Sequence, residues 1–197
     1  IRHQIKISKE EIKKVLEKKL SSFRSLDFTD GKISRYSRYD KETKTWLKCR
    51  KVIYGFWFNF LKLSELDKTR KVDWTKYKGW GGSKVILNTH FEKWFKERKI
   101  ELFSVKNPKD KPKYIPTVGC QKDSIITSYK VYCKKLEGMK LFQIKDYLDG
   151  NEFRKTRPRM RGRGETDELS SINVYVRYAK KILDNVCKGE FPGRLKN

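Results

Sequence analysis

The chain has 197 residues, of which 37% are charged and 37% hydrophobic, with Tyr, Phe and Trp together at 13%. Lys and Arg number 49 against 24 Asp and Glu, a formal net charge of +25. Enough apolar material is present for one well-buried core or two small domains, which excludes a wholly disordered chain. A compact body with this charge repels itself unless counterions or an anionic partner neutralise it, and a partner made of phosphates is the economical expectation.

No apolar run approaches the roughly 20 residues that cross a bilayer. The basic helices also lack a broad Trp or Phe face, so no membrane insertion is expected. Cys49, Cys120, Cys133 and Cys187 are far apart, without the spacing of a zinc knuckle. No metal site is predicted; the reading is of free buried thiols in a reducing, intracellular location. The first residue is an isoleucine, so the natural N-terminus is expected to lie upstream.

In chain order, SKEEIKKVLEKKL predicts a helix, with Ser8 and Glu11 as a capping box and Ile12, Val15, Leu16, Leu20 and Phe23 on one face. Turn signals at Asp30-Gly31 and across Asp40 to Thr43 frame ISRYSRY, whose imperfect alternation suits an exposed hairpin. KVIYGFWFNFLKL then reads as a buried strand with an irregularity at Gly55, its aromatics forming core.

The stretch DKTRKVDWTKYKGWGGSK interleaves Trp74, Tyr77 and Trp80 with Lys71, Lys76, Lys78 and Lys84. Rings that stack on bases beside amines that pair with phosphates are one meaning of this pattern. A tight turn packed by tryptophan is the other. The spacing of a phosphate-binding GxxxxGK[ST] loop is absent. NTHFEKWFKERKIELFSV predicts a helix capped by Asn88 or Thr89, packing through Phe91, Trp94 and Phe95, and a strand near Ile100 to Val105.

Pro108, Pro112 and Pro116 interrupt regular structure. They divide a mixed region, 1–107, from a mostly helical basic region, 119–197, through a proline-rich connection at 108–118; the pattern fits two domains or one domain in which both regions pack together. DSIITSYKVYCKKLEG predicts a helix capped by Asp123 and ended by Gly138, with Ile125, Ile126, Tyr129, Cys133 and Leu136 inward. A shorter helix follows in MKLFQIKDYLDG. Such a pair occurs in helix-turn-helix readers, but helical hairpins that support a core are far commoner. TRPRMRGRG places Arg157, Arg159, Arg161 and Arg163 among proline and glycine, as in an arm lying on a polyanion or an exposed basic turn. SSINVYVRYAKKILDNVCKG is a last helix ended by Gly189, with Arg177, Lys180 and Lys181 on its basic side.

Only two histidines, His3 and His90, are present, which leaves little support for a histidine-based hydrolytic or metal site. Glu42 and Lys44, with Asp27 and Asp30 upstream, are weak candidates for a metal-dependent nuclease, and Mg²⁺ enters only under that reading. Tyr175 and Tyr178, three apart on one helix, are the corresponding weak candidates for a strand-transfer nucleophile. Sequence reasoning therefore predicts an α+β fold, a mixed region with a hairpin or small sheet followed by helices. The expected function is a nucleic-acid-binding module, DNA favoured over RNA, that contacts phosphates through Lys76, Lys78, Lys84, Arg157, Arg159, Arg161, Arg163, Arg177, Lys180 and Lys181. A nucleic-acid-packaging structural protein is the non-enzymatic alternative. The sequence sets neither target sequence nor oligomeric state.

Overall fold

The computed structural model describes residues 37–49, 51–117, 122–150 and 165–195. The predicted helix from Ser8 to Phe23, the Asp30-Gly31 turn, Asp27, Cys120 and the arginine segment 156–164 lie outside these residues. The described chain is α+β: a small antiparallel sheet with three helices, followed by three more helices. It divides into two compact units, one drawn from 20–120 with 182–197 and the other from 121–181 in its described part.

In the mixed unit, β1 (Ser37–Asp40) and β2 (Thr45–Lys48) form an antiparallel hairpin, pairing Tyr39 with Trp46 and Arg38 with Leu47. The turn forms where Asp40 predicts it, because the Asp40 carboxylate accepts from the backbone amides of Glu42 and Thr43, each at 3.1 Å. These amides, that of Thr43 first, hold its pKa below the usual carboxylate value. β3 (Ser104–Val105) adds to β2 through Trp46 and Leu47, so the strand expected from Ile100 shrinks to two residues.

The expected buried strand at KVIYGFWFNFLKL is instead the helix α1 (Lys51–Leu66). Residues 53 to 58 are buried without a break. An unbroken apolar run has no period by which to separate an enclosed helix from an enclosed strand, and its sixteen-residue length favours helix. Gly55 marks no bulge. It lets the Phe91 ring approach, since a Cβ there would sit 3.2 Å from that ring.

A 3-10 turn (Trp74–Tyr77) leads to α2 (Gly82–Asn88), a short helix the sequence pattern did not reveal, and then to α3 (Phe91–Phe103). The cap of α3 is His90, not Asn88 or Thr89. Asn88 closes α2 and donates its side-chain amide to the Lys84 carbonyl at 2.9 Å, while Thr89 is the C-cap of α2.

The core is aromatic. Trp57 stacks on Phe191 with centroids 5.3 Å apart and meets Trp80 at 5.5 Å and the edge of Tyr114 at 6.1 Å. Polar tips are absorbed: Trp57 donates to the Tyr77 hydroxyl at 3.1 Å, Tyr77 to the Val186 carbonyl at 2.6 Å, and Tyr54 to the Tyr114 carbonyl at 2.7 Å. The proline-bearing segment is tied down by the Thr117 amide donating to the Phe191 carbonyl at 2.7 Å and by Lys48 Nζ donating to the Asp110 carbonyl at 2.6 Å.

The helical unit contains α4 (Lys122–Leu136), α5 (Leu141–Gly150) and the part of α6 (Glu165–Cys187) up to Lys181. Val131, Ile144, Leu148, Ile172 and Val176 form its aliphatic core, with Met139, Leu141, Tyr147 and Tyr175 packed against them. From Ile182 the residues of α6 belong to the mixed unit, where Ile182, Leu183 and Val186 are fully buried. Among the described residues no helix is long and apolar enough to cross a membrane.

Candidate nucleic-acid interface

The segment that mixes aromatic and basic residues sorts them by depth. Tyr77 is 2% exposed and Trp80 0%. Their rings meet edge to face at 5.2 Å, and Trp80 lies 4.6 Å from Trp94, whose indole N–H donates to the Trp80 carbonyl at 2.8 Å. Neither ring is available to a base, because exposing it would dismantle the core; the packed-turn alternative describes both. Gly79 makes this burial possible. Its φ is +93°, and a Cβ there would lie 2.6 Å from Glu101 Oε1 and 2.8 Å from Leu102 Cδ2.

Trp74 is half-buried, its centroid 5.9 Å from that of Tyr77. It borders an open cleft of about 350 Å³ with Lys71, Val72, Asp73 and Thr75. The Asp73 carboxylate accepts from the Thr75 hydroxyl at 2.5 Å and the Thr75 amide at 3.1 Å, and these bonds, the hydroxyl first, lower its pKa. An anion entering the cleft meets that carboxylate.

Lys76, Lys78 and Lys84 are exposed. The Lys76 stem lies against Gly189, where a Cβ would come within 2.5 Å of the Lys76 Cβ. The Lys78 carbonyl accepts from Lys113 Nζ at 3.1 Å and from the Tyr114 hydroxyl at 2.7 Å, which sets Lys113 beside Lys78. Arg177 and Lys180 are exposed and Lys181 half-buried, all three on α6 within the helical unit. Arg157, Arg159, Arg161 and Arg163 lie outside the described residues.

Among the described residues the enzymatic candidates are not assembled into a site, Asp27 and Asp30 lying outside them. Glu42 and Lys44 sit in the exposed hairpin turn. No group of three His, Cys, Asp or Glu side chains suited to a metal occurs among the described residues. Tyr175 and Tyr178 meet edge to face at 6.4 Å, and Tyr175 packs against the helical core. Cys49, Cys133 and Cys187 are unbonded thiols; burial pushes Cys49 and Cys133 up to about 12, so neither is a thiolate at neutral pH.

Sequence reasoning passed over Tyr39, which is 46% exposed and stands across from half-buried Trp46. The available signal was the hairpin alternation, which puts Tyr39 and Trp46 on one face once the turn is placed. No family model, no curated protein and no solved structure matches the chain.

Proposed function

We propose that this chain is a nucleic-acid-binding module, for DNA in preference to RNA, that works by electrostatic contact with the phosphate backbone inside the cell. The observation that carries the reading is the charge: 49 Lys and Arg against 24 Asp and Glu on a chain with an ordered aromatic core. Ordered domains usually carry charges of mixed sign, and a cationic excess of this size is neutralised most effectively by a polyanion, whose condensed counterions are released on binding. Lys76, Lys78, Lys84, Arg177 and Lys180 are exposed, and with Lys181 and the arginine segment they are the proposed phosphate contacts.

The test is binding of the full chain to duplex DNA, single-stranded DNA and RNA across a salt series. The expected result is DNA affinity that falls linearly on a log–log plot, with a slope of about −0.7 to −0.9 per phosphate neutralised. Joint replacement of Arg157, Arg159, Arg161 and Arg163 by Gln should flatten that slope. Equally weak, salt-insensitive binding to every polymer would overturn the reading, and new products in the presence of Mg²⁺ would replace it with a nuclease.

A further inference from the structure

Among the described residues, only Tyr39 and Phe142 are large hydrophobic side chains exposed by more than a third. Tyr39 has a built setting. Its ring lies 5.2 Å from that of Trp46, tilted by 54°, directly across the hairpin. Strand alternation sends Ser37, Tyr39, Trp46, Lys48 and Val105 to one face of the sheet. At the Lys48 end that face is covered, since Lys48 is 5% exposed and bonded to the Asp110 carbonyl. At the turn end it is open, and Tyr39 stands there.

The surrounding charge is mainly positive. Lys41 and Lys44 occupy the turn, Lys106 follows Val105, the cross-strand partner of Trp46, and Lys109 and Lys111 bracket Asp110; all five are exposed. The acids in the same stretches are Asp40, Glu42 and Asp110. Two turn amides occupy Asp40, and Asp110 lies in the field of the buried Lys48 ammonium. An exposed ring in a stretch rich in exposed lysines matches one kind of polyanion, in which an unstacked base and its flanking phosphates are presented together. A duplex conceals its base faces, whereas a single strand exposes them.

We infer that the Tyr39–Trp46 pair is a stacking platform for a base of single-stranded DNA, with Lys41 and Lys44 of the adjoining turn holding the neighbouring phosphates. This rests on the nucleic-acid reading and narrows it from phosphate contact to strand selection. Tyr39 supplies the stacking face, and Trp46 packs beside it from across the hairpin.

The experiment compares wild type, Tyr39→Leu and Tyr39→Phe as full chains, each titrated with an oligothymidylate, a DNA duplex of equal length and an oligouridylate. Tyr39→Leu should bind oligothymidylate roughly fivefold to a hundredfold more weakly and leave duplex affinity unchanged, while Tyr39→Phe, which keeps the ring, should stay close to wild type. Tyr39 is exposed, so circular dichroism should be the same for all three proteins. Unchanged oligothymidylate affinity in Tyr39→Leu, with a steep salt slope retained, overturns the platform and leaves the nucleic-acid reading standing. Failure to bind any of the three polymers overturns both. Tighter binding to oligouridylate than to oligothymidylate overturns the assignment to DNA.

Discussion

Two segments of the mixed unit have nearly the same ingredients and use them in opposite directions. Between Trp74 and Lys84, tryptophan and tyrosine alternate with lysine, and two of the three rings are buried beneath α1 and α3 residues. Between Arg38 and Lys48 the same residue types form a hairpin, and Tyr39 is left in solvent. The difference lies in the backbone. The first segment is a 3-10 turn followed by glycines at positive φ, which fold Tyr77 and Trp80 back under the chain. The second is extended, and its period of two places alternate side chains on opposite faces, with Lys48 buried at one end of the Tyr39 face and Tyr39 exposed at the other. Interleaved aromatic and basic residues therefore indicate a binding surface only after the backbone has been established.

The largest expected effect separates the two segments by stability. Trp57→Ala and Trp80→Ala should each cost about 3–5 kcal/mol, by loss of packing and opening of a cavity, whereas Tyr39→Leu should stay within about 0.5 kcal/mol of wild type. Urea unfolding measures all three, and a Tyr39→Leu loss comparable to that at Trp57 would remove the contrast. A sharper version uses the indole donors. Trp57→Phe strips a bond from the Tyr77 hydroxyl, while the Trp80 indole N–H meets no acceptor among the described residues, so Trp57→Phe should be the more damaging change.

Alkali should attack the buried groups next. Burial raises the phenols of Tyr54, Tyr77 and Tyr129 well above 10.0 and pushes Tyr114 up to about 12. It likewise raises the thiols of Cys49, Cys133 and Cys187 above 9.0. The unfolded chain releases these protons at lower pH than the folded chain. Stability is thus complete below about pH 9 and declines as pH rises from there through about 12. Melting temperatures taken across that window should fall while tyrosinate absorbance rises cooperatively; a flat profile would mean that the buried hydroxyls ionise in place.

The smallest effect is in the hairpin turn. Lys44 has φ of +52°, a left-handed conformation that a β-carbon disfavours. Lys44→Gly relieves a cost of about 1–2 kcal/mol and adds glycine's backbone entropy cost of about 0.5–1 kcal/mol, so it should stabilise the chain by up to about 1 kcal/mol on thermal unfolding, while removing one of the proposed phosphate contacts. Destabilisation instead would indicate that the lysine side chain itself supports the turn.

Much of the fold was legible in particular residues. Asp40 announced the hairpin turn, Gly138 and Gly189 marked the ends of α4 and α6, and of the apolar spacing Ile172, Tyr175, Ala179, Ile182, Leu183 and Val186 in the last helix all are buried except Tyr175, which is half-buried. α1 was misread because six successive buried positions carry no period, and α2 was missed because seven residues opening on glycine and serine give little pattern to read. Of the candidate interface, the exposure of Lys76, Lys78 and Lys84 agreed with their chemistry, whereas the depth of Tyr77 and Trp80 was invisible, since an aromatic beside a lysine has the same sequence whether it faces solvent or core.

What the sequence by itself determined is the charge, the presence of enough apolar and aromatic mass for a core, and the local breaks made by glycine, proline and aspartate, because these depend on single residues or near neighbours. The tertiary structure decided which rings are interior. Phe191 reaches Trp57 from the C-terminal segment, Tyr114 enters from the proline-bearing stretch, and the Val186 carbonyl at the far end of α6 accepts a hydrogen bond from the Tyr77 hydroxyl. Each of these contacts joins residues more than fifty positions apart, where no local pattern operates and only the closing of the chain brings the partners together.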